Sequence, residues 1–176
     1  MTRATEECIE LLQQGLSLVE ALADEDYSSP NANSNTSAQE QGAWSSPGAH
    51  TRHLLDFVSC LLVGIDARRI DYTARKRRPE VEISRIIGRR EIIRSIEGLE
   101  RIQHLEPEYS LEVRPEPQQD WTRSTLAREL QFVSGHAVHH HALIRMTLAH
   151  RGIEAPRDYG VAPSTLAYRA ANPPQG

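Results

Sequence analysis

Hydrophobic residues recur three and four apart over residues 5–24, where Ile9, Leu12, Leu16 and Val19 are separated by acids and glutamines. That period predicts an amphipathic helix with one buried stripe. From Asp26 to Trp44 the pattern gives way to Ser, Asn, Gln and Gly, which predicts a long polar, mobile loop over 25–45. Ser46-Pro47 then reads as an N-cap followed by proline in a first turn. A second helix is expected from there to about Ile65, burying Leu54, Phe57, Val58, Leu61 and Ile65. Residues 66–79 are charged and hold the run Arg75-Lys76-Arg77-Arg78.

A third helix is expected from about Glu80 to His104, with Ile83, Ile86, Ile87, Ile93, Ile96 and Leu99 facing inward. Prolines at 107, 115 and 117 forbid its continuation. The alternation in Tyr109-Ser110-Leu111-Glu112-Val113 allows one short strand or an extended loop. Ser124 is placed to cap a fourth helix that runs to about Arg151 and stops at Gly152. The tail, 153–176, is rich in proline and small residues and is expected to pack over one end of the helices. Four long amphipathic helices with almost no strand signal predict an all-α four-helix bundle, one domain over 1–176.

Length and charge narrow the functional classes. A chain of 176 residues can bury a core without staples. A net charge of −4 offers no field for nucleic acid or an anionic membrane. The longest apolar stretch, Leu54 to Ile65, is too short to span a bilayer and contains Asp56. The first residues carry Glu6 and Glu7 where a signal peptide would be apolar, so a cytoplasmic location is expected. Cys8 and Cys60 lie in apolar helical patterns, which suits reduced packing residues.

Candidate chemistry sits in two histidine stretches. His50 and His53 lie near the start of the second helix, and His136, His139, His140 and His141 lie midway along the fourth. At about 100° per residue, His136 and His140 fall about 40° apart on one face, one turn from each other. Val133 and Leu143 share that face, so both imidazoles point inward, with His139 and His141 on the two shoulders. A buried histidine can simply be a hydrogen-bonded core residue. Two stacked on an apolar stripe each need a partner in a dry place, and imidazoles at i and i+4 can converge on one ion. Ala137 stands where a His-Glu-x-x-His motif would carry its glutamate, so no peptidase-like base is supplied. The third ligand must come from another helix. A helical wheel places His50 nearer the Leu54–Leu61 stripe and His53 toward the flank with Asp56, which favours His50.

The segment His53-Leu54-Leu55-Asp56, together with His136-x-x-His139-His140, resembles the DinB-like superfamily of four-helix bundles. That superfamily includes metal-dependent thiol transferases using bacillithiol, mycothiol or glutathione, maleylpyruvate isomerases, and the metal-binding domain of sulfoxide synthases. The tail segment Asp158-Tyr159-Gly160-Val161-Ala162-Pro163-Ser164-Thr165-Leu166 is similar to that of a subgroup without a firm activity. The resemblance covers the second and fourth helices and the tail. It implies a metal triad of His53, His136 and His140, and so prefers His53 to His50. His50, Asp56 and His139 are left as outer-sphere groups or alternative ligands. Where many relatives follow the paired histidines with Arg-Gly-Gln, this chain has His141-Ala142-Leu143, which removes the expected substrate contacts.

Three neutral imidazoles leave a position open for water or substrate and suit zinc, nickel or iron(II). The implied activity is a thiol transfer to a small electrophile, with a low-molecular-weight thiol as partner and a homodimer as the plausible assembly. The rival is a non-catalytic metal-binding bundle. Glu129, two turns before His136, is expected either to reach the pocket or to pair with an arginine. The Arg75–Arg78 run reads either as a grip on an anion or as a solvated loop.

Overall fold

The computed structural model describes residues 2–29 and 45–172. Its long helices are α1 (Arg3–Ala21), α3 (Pro47–Gly64), α5 (Arg85–Ile102) and α6 (Leu126–His150). Three short helices join them: α2 (Asp24–Ser28), α4 (Pro79–Ile83) and α7 (Pro163–Ala171). Three strands, β1 (Arg69–Asp71), β2 (Ser110–Arg114) and β3 (Thr122–Thr125), form one small sheet. The architecture is therefore mostly helical, and the expectation of a purely α chain is corrected by this sheet. No helix among the described residues is long and apolar enough to cross a membrane.

Local chemistry accounts for most boundaries. Ser46 caps α3 as its sequence predicts, accepting from the Ala49 amide at 3.0 Å with Pro47 in the first turn. The fourth helix starts one residue later than Ser124 would set it. Thr125 is its cap, accepting from the Arg128 amide at 3.4 Å, while Ser124 belongs to β3. The third helix is not continuous. Ser84 adopts an extended conformation and caps α5 through its hydroxyl, ending α4 at Ile83. A serine hydroxyl competes for backbone amides in this way. On either side of the break Ile83 and Ile86 are exposed instead of inward, and Gly88, Ile92, Ser95, Ile96 and Leu99 form the buried face of α5.

The chain after α1 also differs from the loop expected over 25–45. It first forms α2, whose Tyr27 is fully buried and donates to the Val81 carbonyl at 2.7 Å. The rest of that expected loop, 30–44, lies outside the described residues.

Helix α1 packs on α5 and α6, and α3 packs on the same two helices. One core, built around Leu11, Leu12, Leu55, Val58, Leu61, Leu99 and Leu130, fills the space between them. Burial of such side chains contributes roughly 1.5–3 kcal/mol each. The sheet closes one end. β1 runs parallel to β2, pairing Ile70 with Val113, and β3 runs antiparallel to β2, pairing Leu111 with Ser124. Ile70, Tyr72, Leu111 and Val113 turn inward to the same core.

At the other end the tail does pack on the helices, but only in part. Tyr159 joins Leu18, Leu22, Ile144 and Leu148 in a second cluster. Arg145 donates to the carbonyls of Arg157 and Tyr159 at 2.8 and 3.2 Å. Gly160 has a φ of +72°, and a Cβ there would lie 2.6 Å from the Ala142 amide nitrogen. Only glycine meets both demands at no cost. Beyond it, α7 has no buried residue.

Candidate metal centre

The seam between α3 and α6 is apolar at the sheet end and turns to imidazole partway along. α3 presents His50 and His53, one turn apart, and α6 presents His136 and His140 from the facing side. The ligand atoms of His53, His136 and His140 all lie within 4.8 Å of one another. Ring centroids are 5.2 Å apart for His53–His136, 4.8 Å for His53–His140 and 4.4 Å for His136–His140. These three residues could hold a metal ion.

The fourth ring sits on the inner side. His50 is buried, and its Nδ1 lies 3.1 Å from Nδ1 of His140. One of the two nitrogens must carry the proton of that hydrogen bond. His139 stands at the exposed rim, its ring 5.1 Å from His140 and 6.5 Å from His136. The opposition between His50 and His53 drawn by the helical wheel therefore resolves into two contacts with one residue. His53 belongs to the group able to converge on an ion, while His50 touches the far side of His140.

Burial sets the protonation states. Loss of water pushes His50 and His136 down to about 4, and mutual repulsion among the rings adds to it. His140 is driven lower still, by burial first and then by His136, His53, His50 and His139. His53 is lowered by burial and by the nearby Arg75 and Arg52. Four imidazoles are thus held neutral near pH 7, the form that donates a lone pair.

The residues fit an ion by a further mark. His136 Nε2 is buried without a hydrogen-bond partner among the described residues. An unsatisfied buried nitrogen costs about 1–3 kcal/mol, a penalty that coordination would remove. A tetrahedral site with metal–nitrogen bonds of about 2.0–2.1 Å needs its ligand atoms about 3.3 Å apart. Small side-chain rotations of the half-buried His53 and His136 are the adjustment required.

The outer groups divide. Asp56 is buried, but its carboxylate accepts from Arg52 at 3.0 Å, and Arg52 also reaches Glu82 of α4 at 3.4 Å. It acts as an interhelical tie through arginine and makes no hydrogen bond to a histidine among the described residues. Glu129 is buried and accepts from the Tyr72 hydroxyl at 2.9 Å and from Ser124. Among the described residues it therefore neither reaches the histidines nor pairs with an arginine. Beneath the rings lies an aromatic floor that sequence reasoning missed as part of the site. Phe57 lies 4.2 Å from His136 and 5.2 Å from His53, and stacks on Tyr72 at 5.4 Å. Phe132 completes it at 5.8 Å from Phe57. Its signal was present in the sequence, since Phe57 follows His53 by four residues and Phe132 precedes His136 by four. That spacing puts each pair on one helix face.

His141, expected on a shoulder of α6, is almost fully buried on another side of that helix. It stacks on Tyr159 at 4.5 Å and takes no part in the cluster. Cys60 lines a neighbouring cavity of about 260 Å³ together with Asp56, Arg69 and Asp71. Burial pushes its thiol up to about 11, and that of Cys8 to about 12, so both remain packing residues without nucleophilic character.

Comparison of the chain with protein-family models, with curated proteins and with solved structures finds no match.

Proposed function

We propose that the chain is a DinB-like four-helix bundle binding a divalent transition metal (zinc, nickel or iron(II)) through His53, His136 and His140. In this reading the centre serves a thiol transfer to a small electrophile. The observation that carries it is the convergence of three neutral imidazoles from two helices on one point, with His136 Nε2 unsatisfied. When bound, the ion would supply Lewis acidity, lowering the pKa of a thiol or water beside it.

The chain's own groups have separate tasks. With the proton on His140 Nδ1 donated to His50 Nδ1, the Nε2 lone pair of His140 is left for the ion and its ring is fixed in orientation. Phe57 and Phe132 keep water from the floor of the site. His139 stands at the exposed rim, where a proton released by the thiol can pass to solvent. The thiol sulfur forms a bond to the electrophilic carbon, and the leaving group departs with its electron pair.

The test is metal content by elemental analysis on purified protein and on His136→Ala. One equivalent in the wild type and a strongly reduced amount in the variant are expected. Negligible metal in both would end the proposal.

One observation favours a second reading, a non-catalytic metal-binding protein. The three histidines come from α3 and α6, so an ion between them also ties those helices together. Under it, chelation lowers thermal stability sharply while thiol conjugation to a panel of electrophiles stays silent.

A further inference from the structure

Three neutral imidazoles around a divalent ion would leave its double charge uncompensated, and the two nearest buried acids are already engaged. Asp56 is paired with Arg52, and Glu129 is held by Tyr72 and Ser124. Neither of these buried carboxylates is free to balance that charge, so the centre suits an anionic ligand.

The loop between β1 and α4 holds a group suited to meet it. Arg75 lies with its guanidinium carbon 4.9 Å from the centroid of Phe57, the same ring that lies 4.2 Å from His136. Of the other arginines close by, Arg52 is held on Asp56 and Glu82, Arg78 on Glu91, Arg69 on Glu112 and Arg114 on Asp71, while Arg77 is exposed. Arg75 is half-buried and has no carboxylate partner among the described residues. A half-buried guanidinium resting on an aromatic face keeps its planar donors free for a carboxylate or similar oxyanion.

Its position is fixed in advance. The Thr73 amide and hydroxyl both donate to Asp71 Oδ1, at 2.9 and 2.6 Å, and Asp71 is clamped by Arg114. On the far side Arg78 is anchored to Glu91. Between these ties Arg77 is held at a φ of +44°, an uncommon conformation for a long side chain. Backbone of this kind persists only where the surrounding structure holds it in place.

We propose that the histidine centre takes a small ligand bearing a carboxylate or similar compact oxyanion, and that Arg75 is the residue that selects for that charge. This rests on the metal reading above. Cobalt(II) substituted into the centre gives an absorption band when a thiol binds to it. The affinities of 3-mercaptopropionate and of uncharged 2-mercaptoethanol can then be compared by titration.

The wild type is expected to prefer 3-mercaptopropionate roughly tenfold, a preference that falls as salt is raised. Arg75→Gln should abolish the preference and Arg75→Lys should retain part of it, with both variants still taking up cobalt. Equal affinity of the two thiols in the wild type, or a preference that survives in Arg75→Gln, overturns the role of Arg75 and leaves the metal centre standing. Failure of the wild type to take up cobalt overturns both. The salt dependence tests the preference for charge on the wild type alone, and the charge-keeping Arg75→Lys assigns it where Arg75→Gln folds poorly.

Discussion

His140 and His141 are neighbours in sequence and both are buried, yet they occupy unlike surroundings on two sides of α6. His140 faces α3 and meets the rings of His50, His53 and His136, and its depressed proton affinity combines burial with repulsion from each of them. His141 faces α1 and the tail, stacked on Tyr159, and burial alone holds it down to about 4. Nδ1 of His141 finds no hydrogen-bond partner among the described residues. Both imidazoles are neutral and desolvated, and only one is placed to share an ion. Burial makes a histidine a potential ligand, but convergence of several makes a site.

The largest effect should come from exchanging the two residues separately for phenylalanine. His140→Phe is expected to weaken metal affinity by at least roughly 100-fold, since a ligand is lost outright. His141→Phe should leave it within about twofold. Because His141 makes no hydrogen bond among the described residues that phenylalanine would break, stability should change by less than about 1 kcal/mol. Competition with a chromophoric chelator and urea unfolding read the two quantities. Similar metal affinity in both variants would erase the distinction between the seams.

A second effect is pH-dependent. Below about 6.5 histidines gain protons in the unfolded chain, while His50, His136 and His141 in the folded protein stay neutral to about 4. The unfolded state then binds more protons, so metal-free stability is full above about pH 6.5 and declines as pH falls toward 4. Bound metal should be released over the same acidic window. In His141→Phe the decline should be shallower by one histidine's contribution, with the release pH unmoved. Urea unfolding at several pH values, with and without metal, checks both parts. A flat profile between pH 7 and pH 4.5 would contradict it.

The smallest effect concerns Gly15 on α1, where a Cβ would lie 3.1 Å from His141 Nε2. Alanine gains about 1 kcal/mol of helix propensity over glycine, but the stacked ring must give way by a few tenths of an ångström. A net change near zero in urea unfolding is expected for Gly15→Ala. A full gain of about 1 kcal/mol would show the ring free to move.

The long helices and the inward pair on α6 were legible because they depend on local period. Ser46 with Pro47, and the buried faces of α1 and α3, follow from residues within one or two turns. What the sequence concealed depends on partners far along the chain. Arg69-Ile70-Asp71 holds a single apolar residue and becomes a strand only by pairing with residues 112–114. Tyr27 looks like one aromatic residue in a polar run, and its burial depends on the Val81 carbonyl. Ile83 and Ile86 were misplaced because the helix is broken at the serine between them. Asp56 was expected beside a histidine ring, but Arg52, four residues earlier, claims its carboxylate. The role of Arg75 was open for the same reason, since Phe57 meets it only in three dimensions.

The small sheet has a consequence for behaviour in concentrated solution. Unpaired strand edges invite other chains to extend a sheet, and short, charged edges discourage it. Here the outer strands are β1, three residues long with Arg69 and Asp71, and β3, four residues long with Arg123. Arg69 and Asp71 are moreover bound to Glu112 and Arg114 on the central strand. Neither rim offers enough bare backbone to template fibrous growth.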